Sequence, residues 1–476
     1  MLSGVFAAIA LITAAAAGSL PAPPRSVPQG PRPMAGPIQV HPENPRYLLY
    51  RGKPILLITS AEHYGAVLNS AFDFRQYLAA LQRDGMNYTR IFSGAYCESP
   101  TDFNIQENTL APESGRLLCP WARSETPGYA NGGSKFDLTR WDAAYFRRLK
   151  DFLTEAGRRG VVVELTLFCP FYGDSSWRLS PMNAANNIQG IGKAGAHDVY
   201  NLKHPDLTRV QEEMVRKVVT ELNGFDNLFY EICNEPYFGG VTLEWQRRIA
   251  EVIVATEASL PKRHLIAQNI ANGSARAEGF HPSVSLLNFH YAAPPDAVKV
   301  NWDLNRPVGC DETGFKGTRD LPYRREGWDF LLAGGALYNN LDYSFTVRRP
   351  DGTHTVTDPT PGGGGPSLRA QLKTLSQFMH ALPFTRMRPA NELLRGGKGR
   401  LLAAPGEAYA AYTLEGTRVT WQWEMPAGRY RGEWVHPLTG KVEPIAAFDH
   451  PGGLAKFSSP EYTEDIALKI VRVGRR

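Results

Sequence analysis

The sequence lacks the marks of several protein classes. Its 52 Lys and Arg nearly balance 47 Asp and Glu, leaving a net charge of only +5, and no stretch is rich in Lys or Arg. A chain this even has no electrostatic footprint for nucleic acid, which is not expected as a partner. Cysteine is scarce. Cys97, Cys119, Cys169, Cys233 and Cys310 make an odd count of five without a CxxC. At least one thiol therefore stays unpaired. Cys97 and Cys119 share one loop-like stretch and could pair in an oxidising compartment; the other three read as small buried residues rather than metal ligands. No HExxH occurs and the histidines are scattered, so neither a metal nor another cofactor is expected. No GxGxxG follows the first strand-like run, against a dinucleotide-binding open sheet. Past the N-terminus no apolar run approaches the roughly 20 residues of a spanning helix, so the mature chain is expected to have none.

What is present begins with an apolar run from Val5 to Ala17, followed by small residues and proline. Residues 1–19 read as a signal peptide, which implies a secreted or periplasmic protein, although only the α-amino group supplies charge ahead of the run. Residues 20–45 hold nine prolines and read as a linker. At 476 residues with 43% hydrophobic content, the chain has room for a barrel-sized domain and a small accessory domain.

Strand-like runs then alternate with helical spacing. ILLITS (Ile55–Ser60), NYTRIF (Asn87–Phe92), VVVELTLF (Val161–Phe168), NLFYEICNE (Asn227–Glu235), HLIAQN (His264–Asn269), SLLNFHY (Ser285–Tyr291), PVGCDE (Pro307–Glu312) and ALYNNL (Ala336–Leu341) make eight. Each is followed by a helix or a helix-sized gap, which predicts a closed (β/α)₈ TIM barrel over residues 46–382. From Phe384 the pattern changes to short alternating strands parted by Gly, Pro and Asp, predicting an antiparallel β-sandwich over residues 384–476. Trp421, Trp423 and Trp434 are expected to pack between its sheets.

In a parallel barrel, reactive groups gather where strands end. Strand four ends in Asn234-Glu235-Pro236, strand seven in Asp311-Glu312-Thr313-Gly314 and strand six in His290-Tyr291. Strand two carries Arg90, and Glu62-His63 follow strand one. A carboxyl pair over one mouth suits glycoside hydrolysis, in which one carboxyl protonates the leaving oxygen and the other attacks or activates water. YEICNEP (Tyr230–Pro236), CDETGF (Cys310–Phe315) and the intervening His-Tyr together resemble clan A glycoside hydrolases, the superfamily of the family 5 cellulases and mannanases. The resemblance covers residues 46–382. It implies Glu235 as acid/base, Glu312 as nucleophile, Asn234 on the sugar 2-hydroxyl, Tyr291 orienting Glu312 and Arg90 keeping it ionised, with His290 beside them.

Asp311 contends with Glu312, but strand alternation is expected to turn the two to opposite sides. His63 and Trp177 are further candidates for substrate binding. Trp177 sits with Trp121, Tyr129, Phe171 and Tyr172 in long loops expected to wall the site. Family 5 members commonly carry a tryptophan after strand eight; Tyr338, Tyr343 and Phe345 stand there instead. The C-terminal domain resembles the small β domain, labelled collagen-binding, of some cellulase-like barrels. The expected activity is retaining hydrolysis of β-glycosidic bonds in a poly- or oligosaccharide, with carbohydrate as partner. A non-catalytic carbohydrate- or matrix-binding protein and a transglycosylase using the same glutamates are the alternatives.

Overall fold

The computed structural model describes residues 36–474. The stretch read as a signal peptide and most of that read as a linker lie outside them. Eight parallel strands form one sheet: β1 (Leu57–Ala61), β2 (Tyr88–Phe92), β3 (Val162–Phe168), β4 (Leu228–Cys233), β5 (Ile266–Asn272), β6 (Val284–His290), β7 (Val308–Glu312) and β8 (Leu337–Leu341). The order runs β1-β8-β7-β6-β5-β4-β3-β2, so first and last strands meet and the sheet curls into the TIM barrel. At the β1–β2 seam the Asn87 side chain extends the backbone pairing. Ile58 N donates to its Oδ1 at 2.8 Å and its Nδ2 donates to Leu56 O at 2.8 Å.

Period-two alternation stacks the barrel interior in layers. Near the strand starts Leu57, Tyr88, Val162, Phe229, Leu286 and Leu337 form an apolar floor. Ile38, Leu48 and Tyr50 join that floor from a small antiparallel sheet of Gln39–Val40, Leu48–Tyr50 and Lys53–Ile55. The last part of the stretch read as a linker is therefore a plug under the barrel, because apolar residues between its prolines have a floor to cover. Two residues further along each strand, Arg90, Glu164, Glu231 and Asn288 replace the apolar layer with a charged one, all four buried. The next inward positions include His290 at the mouth.

Helices Phe74–Asp84, Ala143–Arg158, Pro205–Leu222, Leu243–Glu257, Asp320–Leu332 and Pro366–His380 form the outer ring. The first is capped at its start by Asp73, whose side chain accepts from the Arg75 and Gln76 amides, and ends on Gly85 at φ 78°, the left-handed turn glycine adopts without strain. Between β5 and β6 the chain returns without a helix, and β6 is followed only by the short turn Asp296–Val300. The loop after β2 contains a hairpin, Trp121–Pro127 with Ser134–Trp141.

The C-terminal region is a six-stranded antiparallel sheet facing a three-stranded one. Alternation explains its nearly continuous apolar strands. Leu401, Ala403, Tyr409, Ala411, Ile466, Leu468 and Ile470 face the second sheet, with Trp421, Trp423 and Trp434 among them. Leu402, Ala404, Ala408, Ala410, Tyr412 and Ala467 turn the other way and join the barrel's core. Trp328 of the Asp320–Leu332 helix stacks on Tyr412 with centroids 5.4 Å apart. Beside it Arg324 Nε donates to Asp465 Oδ2 at 2.9 Å, both side chains being buried, and the Tyr412 hydroxyl donates to the same oxygen.

Removing one partner of a buried ion pair strands the other charge. Asp465→Ala is expected to lower unfolding stability by about 3 kcal/mol, read as a shifted urea midpoint; an unchanged midpoint would show that this seam carries little of the stability.

Candidate active site

Glu235 and Glu312 stand where β4 and β7 end, and each is nearly buried. A carboxylate oxygen of Glu235 lies within 4.8 Å of one of Glu312, with His290 completing the triangle. His290 Nδ1 is 3.2 Å from Glu235 Oε1 and 3.4 Å from Glu312 Oε1. Both oxygens of Glu312 receive donors. Tyr64 Oη donates to Oε2 at 2.6 Å, Arg90 Nη1 to Oε2 at 3.3 Å and Tyr291 Oη to Oε1 at 2.6 Å. Burial alone would raise the pKa of Glu312. His290, Arg90 and the tyrosine hydroxyl outweigh it and hold the carboxyl well below the usual range. Glu235 has a different shell: Tyr172 Oη donates to Oε2 at 2.6 Å and Tyr237 Oη to Oε1 at 3.3 Å. The site thus holds one fixed, ionised carboxylate, suited to attack, and a second carboxyl within reach of the same small volume.

The charged layer beneath sets this difference. Arg90 Nε donates to Glu231 Oε2 at 3.1 Å, Nη2 donates to Asn234 Oδ1 at 2.7 Å, and Nε lies 3.3 Å from Asp311 Oδ2. The Asn288 carboxamide donates towards Glu164, Glu231 and Asp311 at 2.7, 3.1 and 3.0 Å. Burial lifts Glu231 to about 7 despite Arg90, and burial with the Glu231 and Asp311 charges lifts Glu164 well above its ordinary value. Burial opposes the imidazolium of His290, yet Glu312 and Asp311 raise its pKa well above 6.5.

Asp311 and Glu312 do not part as strict alternation predicts. The pairing of β6 with β7 slips between Phe289 and His290, so that Phe289 faces Cys310 while His290 faces Glu312. Asp311 is the extra residue of this bulge. It keeps an inward position against Arg90 and His290 Nε2, while Glu312 is re-aimed over the mouth. Strain collects here too. Tyr64, Glu235, Tyr291 and Phe315 hold φ of 60°, 33°, 49° and 58°, in the region non-glycine residues rarely occupy.

A cavity of about 50 Å³ opens between these groups, lined by His63, Tyr64, Phe92, Glu98, Phe103, Leu110, Cys169, Tyr172, Asn234, Glu235, Tyr291, Glu312 and Phe315. The sequence candidates His63, Asn234, Glu235, Tyr291 and Glu312 thus meet, with Arg90 and His290 directly behind them. Trp177 does not join them. It ends the short helix Asp174–Trp177 and is buried, its Nε1 donating to Ala194 O at 2.8 Å and its ring packed on Phe171, because a long connection needs a core of its own. Trp121, Tyr129 and Phe171 are likewise buried, and of that aromatic group Tyr172 alone borders the cavity. All five cysteines are free and buried, Cys97 and Cys119 included. Sequence reasoning passed over Tyr64, Glu98, Phe103, Tyr237 and Phe315. Tyr64 had a signal, lying next to His63 after β1; the others sit on loops without periodicity. A larger cleft of about 470 Å³ lies elsewhere, lined by Trp302, Arg388 and Pro389, and neither Glu235 nor Glu312 borders it.

Comparison with known proteins supports this architecture. No protein-family model and no curated protein matches the sequence. Solved structures do match in fold. A candidate glycoside hydrolase from Bacteroides vulgatus ATCC 8482 has TM-score 0.64 at 16% identity, covering 94% of this chain and 84% of that one. A glycoside hydrolase family 5 protein from the same organism has TM-score 0.59 at 15% identity, covering 92% and 94%. A third structure, described as a glycoside hydrolase, has TM-score 0.60 at 15% identity over 93% and 98%. The shared fold spans the C-terminal sheets as well as the barrel.

The segment that brings His63 and Tyr64 to the mouth is fastened by Glu62. Its buried carboxyl accepts from the Gly65 and Ala66 amides at 3.0 and 2.9 Å and from Thr109 Oγ1 at 2.6 Å. Gly65 is required by close approach, since a Cβ there would lie 2.1 Å from Thr109 O. Burial pushes Glu62 up to about 7. A carboxyl raised in the folded state holds a proton the unfolded chain has released, so this contribution is present below about pH 4.5 and lost as pH rises to about 7. The stability of wild type relative to Glu62→Gln is therefore expected to fall by about 2 kcal/mol from pH 5 to pH 8, measured by denaturant unfolding at each pH. A constant difference would mean that Glu62 is ionised throughout.

Proposed function

We propose that the protein is a retaining glycoside hydrolase cleaving β-glycosidic bonds in an oligo- or polysaccharide, with Glu312 as nucleophile and Glu235 as acid/base. The observation that carries this reading is the approach of the two carboxyls to within 4.8 Å between their oxygens. Retaining enzymes hold the pair at roughly 5 to 5.5 Å, whereas an inverting enzyme needs roughly 6.5 to 9.5 Å to seat a water between carboxyl and sugar. The contrast in hydrogen bonding supports the division of roles. Glu312, ionised and fixed by Tyr64, Arg90 and Tyr291, is the attacking group.

In the first step Glu235 gives its proton to the glycosidic oxygen as Glu312 bonds to the anomeric carbon and the leaving alcohol departs with the bond's electron pair. In the second, water attacks the glycosyl ester, Glu235 takes the water's proton, and Glu312 leaves as carboxylate. Asn234, fixed by Arg90 and donating from Nδ2 to Tyr172 Oη at 3.0 Å, is placed beside Glu235 for the sugar 2-hydroxyl. The N-terminal apolar run fits action outside the cytoplasm.

Glu235→Ala is expected to slow turnover of glycosides with poor leaving groups by about 10²- to 10⁴-fold, the range for loss of a general acid. It should spare activated aryl glycosides, with added azide restoring rate. A fluorosugar inactivator should label Glu312, detected by mass spectrometry of peptides. Label on Asp311, or product of inverted anomeric configuration, would overturn the assignment.

A further inference from the structure

Glu98 is a third carboxylate on the same cavity, and the double displacement makes no use of it. It stands in the loop after β2, buried, its Oε2 accepting from Asn108 Nδ2 at 2.5 Å and lying 3.3 Å from His63 Nε2. Its Oε1 receives only the Tyr96 hydroxyl, at a long 3.4 Å, so accepting capacity remains. His63 is only 7% exposed, its ring stacked on Tyr64 and tilted against Tyr343, and its Nδ1 has no hydrogen-bond partner among the described residues. A buried ring nitrogen without a partner and a carboxylate short of donors are both costly. The segment that carries His63 is fastened separately, by Thr109 donating to Glu62.

The defect at Glu98 is complementary to one ligand chemistry. A sugar hydroxyl both donates and accepts, so one can supply the donor that Glu98 Oε1 lacks, beside the His63 edge that borders the cavity. Around them the cavity is lined by Phe92, Leu110 and the partly exposed rings of Phe103 and Phe315, apolar faces against which a sugar ring can lie. Charge narrows the choice further. Glu98, Glu235 and Glu312 already border this volume, and a uronate would add a fourth carboxylate.

We propose that Glu98, with His63 against it, is a specificity residue that accepts from a hydroxyl of the sugar unit that a neutral glycoside places at the mouth. This rests on the glycosidase reading. The test uses the whole protein, wild type and Glu98→Gln, on nitrophenyl β-glycosides of neutral sugars, their monodeoxy analogues and the matching uronides. Wild type should favour the neutral glycoside over its uronide. Glu98→Gln should lower kcat/KM on the parent glycoside by about 10- to 100-fold, the size of one charge-assisted hydrogen bond. That loss should vanish on the one deoxy analogue lacking the hydroxyl that Glu98 holds. An equal loss on the parent and on every analogue would make Glu98 a loop prop and overturn the proposal while the hydrolase reading stands. A wild-type preference for uronides would overturn it as well. No turnover of any glycoside by wild type would remove the hydrolase reading and the specificity pair together. If Glu98→Gln does not fold, His63→Gln on the same analogues gives the same comparison.

Discussion

Arg90 is a guanidinium with no access to solvent, placed among Glu231, Asp311 and Glu312. The rest of the mouth depends on how its charge is shared. The interior there holds Glu164, Glu231, Asp311 and Glu312 against only Arg90 and His290 as cationic partners. Four buried carboxylates cannot all stay ionised beside two cations, so protons are retained somewhere. Burial and mutual repulsion favour retaining them on Glu164 and Glu231, deep in the barrel. The charge is left on Glu312, where His290, Arg90 and Tyr291 together outweigh burial. The charged layer is in this sense a device for choosing which carboxylate stays ionised. Arg90 cannot give up its own proton, whereas a lysine in its place could.

The layer exists because strand geometry stacks equivalent positions. Tyr88, Val162, Phe229 and Leu286 form the floor, and Arg90, Glu164, Glu231 and Asn288 come two residues later on the same four strands. One irregularity then converts a buried network into a reactive site. The bulge at Asp311 lets one strand contribute consecutive carboxylates to one interior: Asp311 to the network and Glu312 to the mouth.

Much of this was legible in the sequence, and the limits have physical causes. The eight apolar runs announced the barrel because parallel strands buried on both faces read as continuous hydrophobic stretches. Glu235, Glu312, His290, Tyr291 and Asn234 could be picked out as neighbours because strand ends are fixed points, and the structure brings them together above Arg90, which lies mid-strand. Glu164 and Glu231 lie mid-strand or earlier, where alternation alone places them too deep to reach a substrate. The structure does keep them below the mouth, yet Glu231 is what Arg90 leans on. Glu98 and Phe315 escaped notice because loop residues carry no period, and only the fold shows that the loop after β2 returns over the cavity. Trp177 misled for the reverse reason. A large aromatic in a loop has the composition of a sugar platform, but the same ring is what a long loop needs to make a core. In the C-terminal sheet, alanines between larger residues looked unremarkable until their common face met the barrel.

The positive φ angles of Glu235 and Tyr291 bear on how such a protein can change. Each residue occupies backbone space that asparagine or glycine would fill at lower cost, at the place where the proposed reaction needs its side chain. Selection for heat resistance alone, blind to turnover, would therefore favour replacing them, and the easiest stabilised descendants would be inert. An engineered lineage that keeps both residues while gaining stability must find it elsewhere, in the seam with the C-terminal sheet or in the plug beneath the barrel.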